Sequence, residues 1–219
     1  MTSVHQLDPG DRGTAARWDE FVRSAAGATF FHRAGWQTVL RDVFRHRTHF
    51  LFTEEAGRIT GVLPLAHVKS MLFGQSLTSL PFAVYGGVVA ADERAAAALE
   101  AEAQALAQRL KVDHLELRNI ERRHADWPLQ DLYVTFRKPI AADDESNLNA
   151  IPRKQRAMVR KGIKNGLQSA FDADAGRFFE LYADNVHRHG TPALPRAYFD
   201  KLLEVFAGDV SVMVVTAPD

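Results

Sequence analysis

Apolar positions recur with two different periods along this chain, and the switches between the periods outline its elements. Trp18, Phe21, Val22 and Ala25 fall at helical spacing, and Trp36, Val39, Leu40, Val43 and Phe44 repeat it. Two amphipathic helices therefore open the fold. RTHFLFTEEAGRITGVLPLAHVKS (47–70) changes to strand character, with a hairpin turn predicted at Ala56-Gly57-Arg58. LTSLPFAVYGGVVA (77–90) predicts a further strand, broken at Tyr85-Gly86-Gly87. An Ala-rich helix follows over 92–110, its seam running Leu99, Ala103, Leu106 and Leu110. VDHLELRNI (112–120) and DLYVTFRKPI (131–140) are predicted strands, separated by ERRHADWPLQ.

AADDESN (141–147) has the polar composition of a linker. Pro152, tolerated only in the first turn of a helix, marks the start of the next one. LQSAFD is a candidate short strand. Two helices follow, one around Phe178, Leu181, Tyr182 and Asn185, the other along Phe199, Leu202, Leu203 and Phe206. The last segment, VSVMVVTAPD, alternates at Val210, Val212 and Val214 and calls for a neighbouring strand that the sequence does not supply. The expectation is the front portion of a longer protein, with an apolar strand edge open to a homodimer contact. Hairpins mixed with helices predict an α+β fold around a mixed sheet.

Composition narrows the function classes. At 219 residues and 46% hydrophobic, the chain has material for a real core. No apolar run approaches the ~18 residues of a membrane span, and the first residues lack a signal peptide's apolar centre. The absence of cysteine removes disulfides, cysteine nucleophiles and thiolate metal sites, in keeping with a cytoplasmic location. The 27 Lys and Arg balance 27 Asp and Glu, which argues against a protein that coats nucleic acid over its whole surface. Anion binding must be local.

One segment breaks that balance. IPRKQRAMVRKGIKNG (151–166) holds six cations and no acid, so the remainder carries a net −6. On a helical wheel Met158, Val159, Gly162 and Ile163 share a face expected to pack, opposite Arg153, Arg160 and Lys164. Lys154 and Lys161 flank that ridge on one side and Arg156 on the other. Cations in a first turn oppose the helix dipole at about 0.3–1 kcal/mol each, while free backbone N–H groups at that end attract anions. A solvated charged face would account for the ridge but not for its unfavourable first turn. The pattern points to a phosphate-rich ligand held by Arg153, Lys154, Arg156, Arg160 and Lys161.

Other constellations carry less. In DHLELRN the strand alternation puts His114, Glu116 and Arg118 on one side, where they line a cleft, meet solvent, or pair as Glu116 with Arg118. The glycines after Tyr85 suit either a plain turn or close approach of a ligand. HGTPALPR presents Thr191 and Arg196 in a Pro-framed loop, either as ligand contacts or as a helix connector. The nine histidines include His46 and His49, and His187 and His189, but no carboxylate completes a metal set. No G-x-S-x-G elbow, P-loop or CoA-binding R/Q-x-x-G-x-G/A loop occurs.

SLPFAVYGG, VDHLELRN, DLYVTFRKP, IPRKQRAMVRKGIKNGL and HRHGTPALPRAYF together resemble the Fem-type peptidyltransferases. The resemblance is narrower to the FemAB-like branch associated with PEP-CTERM/exosortase systems, and it runs from about Trp18 to the last residue. It implies two GNAT-like N-acyltransferase lobes with a substrate cleft between them. Residues 1–140 would form a complete first lobe. Residues 141–219 would supply a linker, the basic helix and the opening part of a second. It also implies an acyltransferase making an amide on an amine acceptor in cell-envelope or exopolysaccharide metabolism. No cofactor is bound in this reading; the acyl donor is a co-substrate, aminoacyl-tRNA or acyl-CoA. The cleft reading is favoured for Tyr85, Glu116 and Arg118, and the catalytic residues fall beyond residue 219, so this chain alone is expected to be inactive. The alternatives are a nucleic-acid-binding module gripping a tRNA-like partner through helix 152–164 without chemistry, and a scaffold of a polysaccharide-export system.

Overall fold

The computed structural model describes residues 2–218, which divide into two compact units. Among the described residues the first comprises 2–125 with 204–207, and the second 126–203 with 208–218.

The first unit is built on a six-stranded sheet. Its central hairpin is β2 (Arg47–Glu55) and β3 (Arg58–Ser70), turned by Ala56 and Gly57, both at positive φ. That two-residue loop matches the right-handed twist of the strands. β1 (Ser3–Gln6) adds antiparallel to β2, β4 (Gly74–Ser79) antiparallel to β3, and β6 (His114–Leu117) parallel to β4, while β5 (Val89–Ala90) pairs with β3. A parallel neighbour needs a crossover, and α3 (Glu93–Leu110) lies on it. The sheet is therefore mixed and the fold α+β, as expected.

Alternation sorts the core. Leu51, Leu63, Leu65 and Leu77 point to one face and pack with Leu99, Ala103 and Leu106 of α3, the seam the sequence predicts. Phe50 and Phe52 point to the other face, where Trp18 of α1 (Arg12–Ser24) stacks on Phe50 with centroids 5.5 Å apart. Trp18 is fully buried and its Nε1 donates to the His32 carbonyl at 2.6 Å. α2 (Trp36–Phe44) packs on β2 and ends on Arg45 in the left-handed conformation, and Trp36 meets Phe30 and Phe206. Phe30–His32 forms a single 3-10 turn capped by Thr29.

The second unit holds α4 (Asp144–Asn149), α5 (Arg153–Lys164), β7 (Gln168–Asp172), α6 (Gly176–Arg188), α7 (Arg196–Val205) and β8 (Val212–Thr216). The aromatic rings of Phe178, Tyr182 and Phe199 join α6 to α7, with Phe199 5.0 Å from each of the other two.

Several expectations need correction. The alternating run 131–140 forms no strand: no other segment pairs with it, and Leu132, Val134 and Phe136 stand exposed. The strand expected over 77–90 ends at Ser79, and residues 80–88 loop before the short β5. The polar stretch taken as a linker contributes α4, because the Asp143 carboxylate caps the Ser146 N–H. β8 does have a neighbour: β7 pairs with it antiparallel from Gln168↔Thr216 to Asp172↔Val212. Met158, Val159 and Ile163 of α5 do not pack but are exposed.

Candidate functional site

A cavity of about 690 Å³ opens in the first unit between β5, the start of α3 and the segment that follows β6. Its walls include His32, Gly87, Glu93, Arg118, Asn119 and Arg123. The chain reaches this arrangement through Arg118. Its backbone carbonyl accepts from the Gly86 and Gly87 amides, and its own amide donates to Ser79 Oγ. Its guanidinium pairs with Glu116 at 2.6 Å and donates to the carbonyls of Ala83 (2.6 Å) and Leu80 (3.3 Å). Arg118 thus clasps the 80–87 loop, on which half-buried Tyr85 sits. Gly87 is required there by close approach, since a Cβ would stand 2.1 Å from Asn119 Oδ1. Asn119 in turn accepts from the Val88 amide at 3.0 Å.

An ionic cluster centres on a buried carboxylate nearby. Glu100 is fully buried on α3 and accepts from Arg123 Nε at 2.7 Å and His124 Nε2 at 3.0 Å, while Arg123 also reaches Glu93 at 2.8 Å. The hydrogen bond to Glu100 raises the Arg123 pKa above its ordinary value. His32 is buried beside the cavity. The Thr29 amide donates to its Nδ1, so the proton lies on Nε2 and is donated to the Gly87 carbonyl at 3.1 Å. Burial lowers its pKa and keeps the ring neutral. Among the described residues the walls hold no Ser, Thr, Tyr or Lys, and their ionisable groups are His32, carboxylates and arginines. The cavity is polar and its arginines are engaged within the protein, which suits positioning of a substrate more than covalent chemistry.

The residues expected to mark a site separate into two groups. Arg118 lines the cavity, Glu116 is its ion-pair partner, and Tyr85 belongs to the loop Arg118 holds; neither Tyr85 nor Glu116 is part of the cavity wall. The others lie in the second unit. Arg153, Lys154, Arg160 and Lys161 are exposed on α5, whose first turn holds no acid. Arg156 behaves differently: its guanidinium donates to the carbonyls of Asn149 (2.9 Å) and Ile151 (3.1 Å) and to Asn149 Oδ1 (3.1 Å), closing the turn after α4. The Thr191 amide donates to Val186 O and closes α6, and Arg196 begins α7 facing Asp200 at 3.5 Å, so HGTPALPR connects those helices.

Sequence reasoning passed over Glu100, Arg123 and His32. Glu100 had a signal, since it shares the apolar seam with Ala96, Leu99 and Ala103. His32 had little, because its buried partner Gly87 lies 55 residues away and only the fold brings it near.

No protein-family model matches the chain, and no curated protein matches it in sequence. Among solved structures the chain is similar to FemX, with a TM-score of 0.63 and 18% identity, covering 97% of this chain and 57% of that one. The chain thus shares the FemX fold while spanning little more than half its length. A GNAT family acetyltransferase of Staphylococcus aureus (10% identity, 64% of this chain, 98% of that chain) and a transcriptional regulator from Bacillus halodurans (10% identity, 61% and 100%) reach TM-scores of 0.40, too low to argue from.

Proposed function

We propose that the chain is part of a Fem-type N-acyl or aminoacyl transferase, acting on an amine acceptor in cell-envelope or exopolysaccharide metabolism. The observation that carries this reading is the FemX fold over 97% of the chain. In such a reaction the acceptor nitrogen attacks the donor's ester or thioester carbonyl. The tetrahedral oxyanion then collapses with loss of the alcohol or thiol, and the nitrogen gives up its proton as the amide forms. Positioning two bound substrates supplies much of the rate in chemistry of this kind. The second unit contributes cations for donor or acceptor phosphates, with Arg153, Lys154, Arg160 and Lys161 exposed on α5. Arg156 supports them by holding the turn that precedes the helix. Aminoacyl-tRNA and acyl-CoA are the two donors to compare.

The test is mass spectrometry of amine acceptors incubated with the full-length protein and each donor in turn. A mass increment of the acyl group on the acceptor supports the reading. The exposed cations of α5 favour one other function, a tRNA-binding module without chemistry. Saturable, salt-sensitive tRNA binding with no mass increment from either donor would establish that function and end the first.

A further inference from the structure

At one end of the first unit the β3–β4 hairpin carries three apolar side chains that stand in solvent. Met71, Leu72 and Phe73 form its tip and are 103%, 86% and 88% exposed. The tip is held in shape. Ser70 Oγ accepts from the Leu72 and Phe73 amides at 3.2 and 3.1 Å. Gly74 turns the chain at φ +74°, where any Cβ would run into the Asp113 carboxylate. Gln75 beside it donates to Lys111 O at 3.0 Å, and its amide to Asp113 Oδ2 at 2.7 Å, tying the hairpin to the end of α3. A protein with no use for these side chains gains by replacing them, because exposed apolar groups favour aggregation.

Directly behind the tip lies a cationic cleft of about 430 Å³. Arg45, Arg47, Lys69 and Arg109 line it with His46 and His67, and among the described residues no acid is in its walls. The strand register explains the convergence. Arg47 pairs with His67 across β2 and β3, two residues before Lys69. Arg45 and His46 follow the end of α2, while Arg109 closes α3. Nearby carboxylates are occupied: Glu102 pairs with Arg109, Asp42 with Arg41, and Asp113 accepts the Gln75 amide. Helix C-termini attract cations and account for Arg45 and Arg109. They do not account for Arg47 and Lys69, which stand on strands.

We propose that this end of the first unit docks on the surface of an anionic bilayer. Met71, Leu72 and Phe73 enter the headgroup boundary while the cleft behind them receives lipid phosphates. Peripheral binding of this kind needs both signals, apolar insertion and attraction to anionic lipid. The two stand side by side here on elements joined by hydrogen bonds.

Flotation of the whole chain with vesicles tests the idea independently of any transferase activity. Vesicles of phosphatidylcholine with phosphatidylglycerol should carry the protein, pure phosphatidylcholine should not, and added salt should release it. Leu72→Asp with Phe73→Asp should lower the partition coefficient at least about tenfold, and Arg47→Glu with Lys69→Glu similarly. Circular dichroism should be unchanged in both. Leu132→Asp with Phe136→Asp, at equally exposed apolar positions of the second unit, should leave binding intact. The proposal is overturned by failure to bind anionic vesicles, by equal binding to neutral ones, or by the control pair mattering as much as the tip. Saturable binding of inorganic pyrophosphate without vesicle binding would identify a free-anion site, and loss of self-association in the tip variant without vesicle binding would identify a second copy as the occupant. Either result overturns it.

Discussion

The segments 47–55 and 131–140 carry the same kind of message and meet opposite fates. Both have strand composition, with Phe and β-branched residues in a short run. The first becomes β2, paired on both edges and covered by helices on both faces, so that residues 48–53 are all buried. The second stays without regular structure, its side chains in solvent. The contrast extends to the units that hold them. The first buries Trp18, Trp36, Phe50 and a ladder of leucines, whereas among the described residues of the second only Ala175, Tyr198 and Val214 are buried. Composition states that a strand is possible; a partner strand and a covering layer decide whether it forms.

Substitution can break this comparison most directly at its extremes. Trp18→Ala removes a buried ring, its contact with Phe50 and its hydrogen bond to His32 O, and should cost about 3–5 kcal/mol in urea unfolding. Phe171→Ala, at a 73% exposed position of β7, should change stability by no more than about 0.5 kcal/mol. Equal losses would mean that the second unit relies on its exposed apolar face as much as the first on its core.

Acid sharpens the contrast next. His49 is buried on β2 with its Nδ1 on Gln6 Oε1 and its Nε2 without a partner. Burial first, then the charges of Arg47, His67 and Arg109, depress its pKa from 6.5 to about 4. The unfolded chain therefore binds a proton that the folded chain refuses between those values. Stability is full above pH 6.5 and falls as pH drops toward 4, by on the order of 2–3 kcal/mol. His32 and His46, both lowered by burial, act in the same direction. In His49→Leu this loss should shrink to what His32 and His46 contribute, measured as the urea midpoint against pH. An unchanged profile would assign the acid sensitivity elsewhere.

A smaller effect is expected at the buried cluster. Glu100→Ala strips Arg123 and His124 of their shared carboxylate and should cost about 1–3 kcal/mol, moderated because Arg123 keeps Glu93. The smallest change in stability belongs to α5. Arg153→Glu with Arg160→Glu should leave unfolding within about 0.5 kcal/mol of the parent. The same pair should weaken phosphate-ligand binding and flatten its salt dependence by about one unit of slope per lost contact. Unaltered calorimetric binding at low salt would remove α5 from the ligand-binding surface. Arg156 is the wrong residue for that experiment, since reversing it also strips the turn at Asn149 and Ile151.

The helices were the most legible part of the chain. Leu99, Ala103 and Leu106 announce α3 and its buried seam, and Pro152 announces α5 to the residue, standing as its N-cap. Local periodicity suffices there, because a helix satisfies its own backbone within one segment. The candidate site was legible in fragments. Arg118 and Glu116 were visible as charged residues on one strand face, and the ion pair between them was one of the readings the spacing allowed. What Arg118 does with the loop 80–87 was not, since that depends on carbonyls more than thirty residues away.

By itself the sequence determined the periodicities, the hairpin at Ala56-Gly57, the α+β character and the concentration of cations between Arg153 and Lys164. All of these are properties of neighbours along the chain. Tertiary structure alone decided that β7 pairs with β8, that residues 131–140 stay unpaired, and that Arg156 binds carbonyls. It also decided that Met71, Leu72 and Phe73 project beside a cleft of cations drawn from two helices and two strands. Strand pairing and charge convergence join residues distant in sequence, and the free energy that selects them is set by which surfaces are left to cover.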